Sequence, residues 1–319
     1  MVLQVIHLFG LLLLFVGFHR HLEVSYNLDS PVFSKIFAPM GRLTFITVPH
    51  DFNTSGNVFQ YLLPFRSWLS ACPNGEIIIF GKSVNKSFDI VISTLISEYP
   101  FASIHFHEAE LGMDNRPLIK DWFVRGTALA TNDIAIFLNA DILVEYDFNI
   151  RLQKVYQQVK KFRFLLMIDK TFTKLNKPID HHLNRSEYND YINITNVHGK
   201  FGCDIFIINP KQSPFNLTEL PPFVVGLPAW DNCLIGNAMV SHATTFALTS
   251  YINVFHIEHK KVWDAKVKSE KIKNLNRIVN QYLRKCHGNF VYNSQFKFFQ
   301  NGTYSPHARS AFNHPPYFI

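Results

Sequence analysis

The segment Asn132 to Leu143, NDIAIFLNADIL, constrains the fold more than any other stretch of this chain. Five consecutive apolar residues, Ile134 to Leu138, have the pattern of a strand buried on both faces, as in a parallel sheet covered by helices. The run breaks at Asn139-Ala140-Asp141 and resumes at Ile142. A polar step at the carboxyl end of a buried strand is where open α/β sheets bind ligands. Side chains two residues apart on an extended chain point the same way, so Asn139 and Asp141 can present two oxygens together. Such a pair suits a hard divalent cation that also holds phosphate oxygens. The alternative is a strand end followed by a polar turn.

The surrounding pattern fits such a sheet. Strands are expected at Arg42 to Val48, Glu76 to Phe80, Ser103 to His107, Phe164 to Ile168, Asp204 to Ile208 and Tyr251 to His256. Apolar residues at helical spacing predict helices at Val58 to Leu69, Phe88 to Tyr99, Ile119 to Ala130, Asn149 to Phe162 and Cys233 to Val240. Alternating strands and helices with short connections predict a right-handed, mainly parallel α/β sheet flanked by helices. The polar stretch Thr171 to His198 is expected to be a long loop, and a basic helix is expected after His259. No repeat and no low-complexity tract interrupts the pattern. The expected organisation is an N-terminal segment (1–20), a short stem (21–41), one α/β domain (42–262) and a C-terminal helix with an aromatic tail (263–319).

With 319 residues, 47% of them hydrophobic, the chain can bury a substantial core. The formal charge is +7, spread along the sequence. That diffuse excess suits small anionic ligands such as nucleotides; nucleic acid would require a clustered patch. No Walker A sequence, no GxGxxG after the first strand and no GxSxG elbow is present, which argues against P-loop NTPases, nicotinamide dehydrogenases and α/β-hydrolases.

Val2 to Phe18 is apolar, interrupted by Gln4 and His7, and is followed by His19-Arg20-His21 rather than a small-residue cleavage site. It reads as an uncleaved signal anchor, with a removed signal peptide and secretion as the alternative. Asn-x-Ser/Thr sites begin at Asn53, Asn85, Asn184, Asn193, Asn216 and Asn301. Chance would supply on the order of three, so their number favours a single-pass type II protein of the Golgi or ER membrane with a luminal body. The cysteines, Cys72, Cys203, Cys233 and Cys286, lack CxxC spacing, so zinc is not expected. They are compatible with two disulfides, in any of three connectivities, or with buried thiols.

Three further segments carry chemistry. In PPFVVGLPAWDNCLI, Pro221 to Ile235, Asp231 follows Trp230 at an expected helix start. It is either an N-cap or a general base facing the sheet edge. His256 and His259 follow the last strand, where an imidazole can reach a metal. Arg125 lies on the helix before the Asn139 strand, where a cation could contact a diphosphate or simply face solvent.

Taken together these segments resemble GT-A-type glycosyltransferases, the nucleotide-diphospho-sugar transferase superfamily. The similarity is greatest to uncharacterised glycosyltransferase-like proteins with NADI and GRPxWDNWLI segments. This chain has NADI at Asn139 to Ile142 and GLPAWDNCLI at Gly226 to Ile235, and the resemblance spans roughly Arg42 to Val262. It implies a GT-A-like, Rossmann-type mixed sheet and transfer of a sugar from a nucleotide-sugar donor to a glycan, protein or lipid hydroxyl. It implies Mn²⁺ or Mg²⁺ held by Asn139, Asp141 and His256 or His259, and Asp231 as the acceptor-side base of an inverting reaction. Pro49, Asp51, Arg125, Trp230 and Asn232 would join Asn139 and Asp141 on the donor. Two other functions stay open: a catalytically inactive glycan- or partner-binding relative, motivated by neutral Asn139, and a sugar nucleotidyltransferase.

Overall fold

The computed structural model describes residues 41–49, 58–82, 86–175, 192–197, 203–257, 277–282, 286–307 and 317–318. These belong to a single compact unit, Met40–Ile319. The strands are β1 Thr44–Thr47, β2 Glu76–Gly81, β3 Ser103–Glu108, β4 Ala135–Leu138, β5 Ile142–Val144, β6 Phe164–Ile168, β7 Thr171–Leu175, β8 Ile192–Val197, β9 Ile205–Ile208, β10 Thr244–Ala247, β11 Val254–Ile257, β12 His287–Gly288, β13 Phe296–Phe298, β14 Tyr304–Pro306 and β15 Tyr317–Phe318. The helices are α1 Val58–Ala71, α2 Lys86–Glu98, α3 Ile119–Leu129, α4 Phe148–Val159 and α5 Trp230–Val240.

Nine strands form the main sheet in the order β14-β13-β10-β6-β9-β4-β1-β2-β3. Most neighbours are parallel; β9 runs antiparallel to both β4 and β6, and β14 antiparallel to β13. This is the mixed, mainly parallel α/β sheet flanked by helices expected from the sequence. Successive residues of each central strand enter opposite layers. Phe45, Ile136, Leu138, Leu166 and Ile207 pack with Trp68 of α1, Val91 of α2 and Leu152 of α4. Ile46, Ala135, Phe137, Met167 and Phe206 pack with Phe123 of α3 and Leu234 of α5. Burial on both faces is why these strands read as unbroken apolar runs.

A second sheet, β5-β11-β7-β8, leaves the main one directly after Asp141. Part of the polar stretch expected to be a loop is therefore strand, with β7 and β8 pairing antiparallel. Polar alternation without a long apolar run hid them.

The expected type II anchor is corrected. Among the described residues no helix is long and apolar enough to cross a membrane. The longest of these helices, α1, has 14 residues, short of the roughly 20 a span requires. Val2 to Phe18 lies outside the described residues, so the Golgi or ER membrane placement is unsupported.

Helix α3 crosses the sheet at Gly126. A Cβ built there would lie 2.8 Å from Ile46 Cγ2 and 2.8 Å from Phe137 Cε1. Both neighbours are fully buried, so neither has room to yield. Gly126→Ala should therefore cost about 1–2 kcal/mol, overpacking outweighing the helix-propensity gain of about 1 kcal/mol. Urea unfolding followed by far-UV circular dichroism reads the loss as a lower midpoint.

Candidate functional site

The antiparallel strand β9 brings its start to the edge where its neighbours end. Leu138 at the end of β4 and Ile168 at the end of β6 both pair with Ile205. Asn139, Lys170 and Asp204 therefore meet at one edge of the sheet. The Asn139 amide donates to Asp204 Oδ1 at 3.0 Å, and Lys170 Nζ donates to the same oxygen at 2.6 Å. The Thr47 hydroxyl donates to Leu138 O at 2.8 Å, fixing the ends of β1 and β4 together.

Asp141 is buried where the chain turns into the second sheet. There Ile142 pairs with His256 of β11, and Ile257 N donates to Asp141 O at 3.1 Å. His256 Nε2 consequently lies 3.1 Å from Asp141 Oδ2. His256 also pairs with Phe172 of β7, whose ring meets the imidazole edge-on at 5.2 Å.

Asp231 is carried by the first turn of α5. Trp230 packs against Trp122, Phe123 and Phe206, seating the first turn of α5 in an aromatic core. Ala229 just before it adopts the left-handed region at φ 77°, a conformation a non-glycine residue holds only under constraint. Asp231 does not cap the helix by side chain in the manner of an N-cap residue. It accepts a hydrogen bond from Cys203 N at 3.0 Å and another from Asn232 N. Burial pushes its carboxyl up to about 6 against those two bonds; the Asp204 charge adds to the rise and Lys170 opposes it. Burial likewise works against the Lys170 ammonium, but Asp204, by charge and hydrogen bond, and the charges of Asp141 and Asp231 outweigh it and hold Lys170 above its ordinary value. One ammonium thus sits among three carboxylates.

That surplus of negative charge fits a divalent cation. Among the described residues no group of three or more His, Cys, Asp or Glu side chains is placed to hold a metal alone. Asp141 and His256 form a pair, however, and 3.1 Å is the separation of neighbouring ligands on an octahedral ion, about 3 Å for bonds of about 2.1 Å at right angles. Magnesium commonly takes one or two protein ligands and completes its shell with phosphate oxygens and water. Asn139 is turned to Asp204, whose Oδ2 is buried without a hydrogen-bond partner among the described residues.

The structure thus groups Asn139, Asp141, Asp231 and His256 around Lys170 and Asp204, two residues the sequence reading missed. An acid directly preceding a buried strand was their only local signal. Of the other expected donor residues, Arg125 is placed elsewhere, Pro49 follows β1 at the same sheet edge as Asn139, Trp230 and Asn232 flank Asp231, and two lie outside the described part. Arg125 Nη1 donates to Glu108 O at 2.8 Å and pairs with Asp121 at 3.1 Å, its guanidinium over Phe80. Glu108 ends β3, three strands from β4 and roughly 14 Å along the edge at ordinary strand spacing. Asn232 is occupied with Asn289, Trp230 belongs to the aromatic core and Pro49 is buried after β1. Asp51 and His259 lie outside the described residues.

The chain matches no protein-family model and no curated protein. Among solved structures it is similar to a mannosyltransferase from Pyrobaculum calidifontis in complex with GDP-mannose and Mn²⁺, at 12% identity and TM-score 0.43, over 78% of this chain. It spans 63% of that mannosyltransferase chain. It is also similar to residues 1–349 of TarS from S. aureus, at 10% identity and TM-score 0.41, over 78% of this chain and 67% of that one. A candidate nucleotide-diphospho-sugar transferase from Desulfovibrio desulfuricans G20 is similar at 11% identity and TM-score 0.40, over 75% of this chain and 96% of that one. At these identities and TM-scores the similarities are a distant likeness of chain path.

The Lys170–Asp204 pair can be tested directly. Lys170→Met leaves a buried carboxylate without its counter-ion and should cost about 3 kcal/mol. Lys170→Met combined with Asp204→Asn should recover part of that loss, giving a coupling energy above 1 kcal/mol in a double-mutant cycle by urea unfolding.

Proposed function

We propose that the protein is a metal-dependent glycosyltransferase that moves a sugar from a nucleotide-diphospho-sugar to a hydroxyl of a glycan, protein or lipid, with inversion. The observation that carries the proposal is Asp231: a half-buried carboxylate raised to about 6, grouped through Lys170 with the Asp141–His256 pair. A base of that strength is largely ionised at neutral pH and takes a proton more readily than an ordinary carboxylate. In this reaction Asp231 removes the proton of the acceptor hydroxyl as its oxygen attacks the anomeric carbon. The backbone N–H groups of Cys203 and Asn232 orient the carboxylate. Asp141 and His256 would hold Mn²⁺ or Mg²⁺, which when bound supplies positive charge against the leaving diphosphate. Lys170 and Asn139 keep Asp204 in place behind them. The neutral side chain of Asn139, its amide held on Asp204, supports a second reading, a relative that binds donor without transferring the sugar.

The purified chain, supplied with Mn²⁺ and a panel of nucleotide sugars, decides between them by calorimetry and product analysis. Asp141→Ala should abolish metal-dependent donor binding. Asp231→Asn should retain donor binding and lower turnover by roughly 10²–10⁴, the range of general-base catalysis. Donor binding without turnover or donor hydrolysis would establish the second reading, and no donor binding at all would reject both.

The raised Asp231 also sets two pH dependences. Turnover needs the ionised form, so kcat/KM should rise with pH and reach half its plateau near pH 6. Stability runs the other way. The folded state holds the Asp231 proton more tightly than the unfolded chain, so stability is fully present below pH 4 and falls as pH rises through about 6. A shift from 3.8 to about 6 corresponds to a loss of about 3 kcal/mol. Urea titrations at several pH values should record that fall, and Asp231→Asn should flatten it.

A further inference from the structure

The proposed reaction uses the thiol of none of the four cysteines, all of which are buried. Cys72 lies in the core layer of α1, while the other three lie in the layer of α3 and α5. Cys203 is engaged with backbone, its thiol directed at Ile205 O at 3.2 Å and Ile168 O at 3.9 Å. Burial, with the charges of Asp204, Asp231 and Asp169, keeps that thiol protonated. Cys233 and Cys286 are arranged differently, because their side chains hydrogen-bond each other. Cys233 is in the first turn of α5, two residues after Asp231, and Cys286 directly precedes β12.

A second tie fixes the backbone beside the pair. Asn289 N donates to Asn232 O at 2.9 Å, and the Asn232 amide donates to Asn289 O at 3.1 Å. Asn289 is completely buried. The two sulfurs are in hydrogen-bond contact on segments tied together at Asn232 and Asn289, so closing the bond brings together groups that are already neighbours.

We propose that Cys233 and Cys286 form a redox-modification site, a dithiol that closes to one intramolecular disulfide and pins the C-terminal segment to the helix carrying Asp231. The oxidant is a small-molecule disulfide such as glutathione disulfide. The Cys286 thiolate attacks one of its sulfurs, forming a mixed disulfide and expelling one glutathione thiolate. Cys233, its proton released to solvent, then attacks the Cys286 sulfur and expels the second glutathione thiolate. Two electrons pass from the cysteines to the oxidant, and each departing thiolate takes up a proton. The order follows exposure: Cys286 is 5% exposed against 2% for Cys233, so it meets the oxidant first. Cys72 and Cys203 stay reduced.

This inference is independent of sugar transfer. The test equilibrates the folded chain with glutathione disulfide, blocks remaining thiols by alkylation and maps peptides without reduction. The expected product is a cross-linked peptide pair containing Cys233 and Cys286, lighter by about 2 Da than the two reduced peptides together. Two alkylation sites should disappear and return with dithiothreitol, and the thermal midpoint should rise by about 4 °C or more. Cys286→Ser should remove both the cross-link and the rise. The unmutated protein reads the pairing even if that variant does not fold. Loss of alkylation at Cys72 or Cys203, a mixed disulfide at Cys286 that never resolves, or four unmodified thiols would overturn the proposal.

Discussion

The site depends on one strand pairing, the antiparallel insertion of β9 between β4 and β6. Were β9 parallel like most of its neighbours, Asp204 would emerge at the far edge of the sheet, about four residues away. Reversed, it meets Asn139 and Lys170. The register matters as much as the direction, since a slip of one residue would exchange the two faces of β9. Phe206 and Ile208 would then leave the aromatic layer of α3 and α5, and Ile205 and Ile207 would leave the layer of α1 and α4. Apolar packing on both faces thus holds a polar edge whose own interactions do not assemble it.

That edge works against stability. Lys170 and Asp204 are both largely withdrawn from water, and a buried ion pair seldom gains more than its desolvation costs. Asp231 adds a carboxylate whose ionised form burial disfavours, and Ala229 adds a left-handed turn. The surrounding aromatics offset these costs. Phe123 stacks on Phe137 with centroids 4.2 Å apart, and Trp122, Phe206 and Trp230 close the same cluster. Local rules are broken where charge accumulates and obeyed everywhere around it, the distribution expected of a functional site.

What was legible in the sequence follows from these physics. Phe164 to Ile168 and Glu76 to Phe80 declared themselves because burial on both faces leaves an unbroken apolar run. Strand β5 was hidden because Ile142 to Val144 reads as a continuation of the run before Asn139. Strand β10, TTFA, was hidden because it is short and half polar. Asn139, Asp141, Asp231 and His256 were legible as chemistry at element ends. Lys170 and Asp204 were not, because their partnership exists only through pairing between β9 and β6, 34 residues apart in the chain. Arg125 was legible as a cation, but its place beside Glu108 and Asp121 depends on how α3 lies across β2 and β3.

Three separate supports hold the grouped residues. The second sheet sets the distance from Asp141 to His256 through the pairing of β5 with β11. The main sheet sets Asn139, Lys170 and Asp204. The aromatic core and the Asn232–Asn289 tie set Asp231. A change in one support need not move the others, because each has its own packing. Charge, however, crosses between them: Lys170 feels Asp141, Asp204 and Asp231 together. Groups positioned independently but coupled electrostatically let geometry at one end and proton affinity at the other vary separately. In the proposed reaction, a change of charge at the Asp141 end therefore reaches Asp231 through Lys170 and Asp204 without any movement of α5.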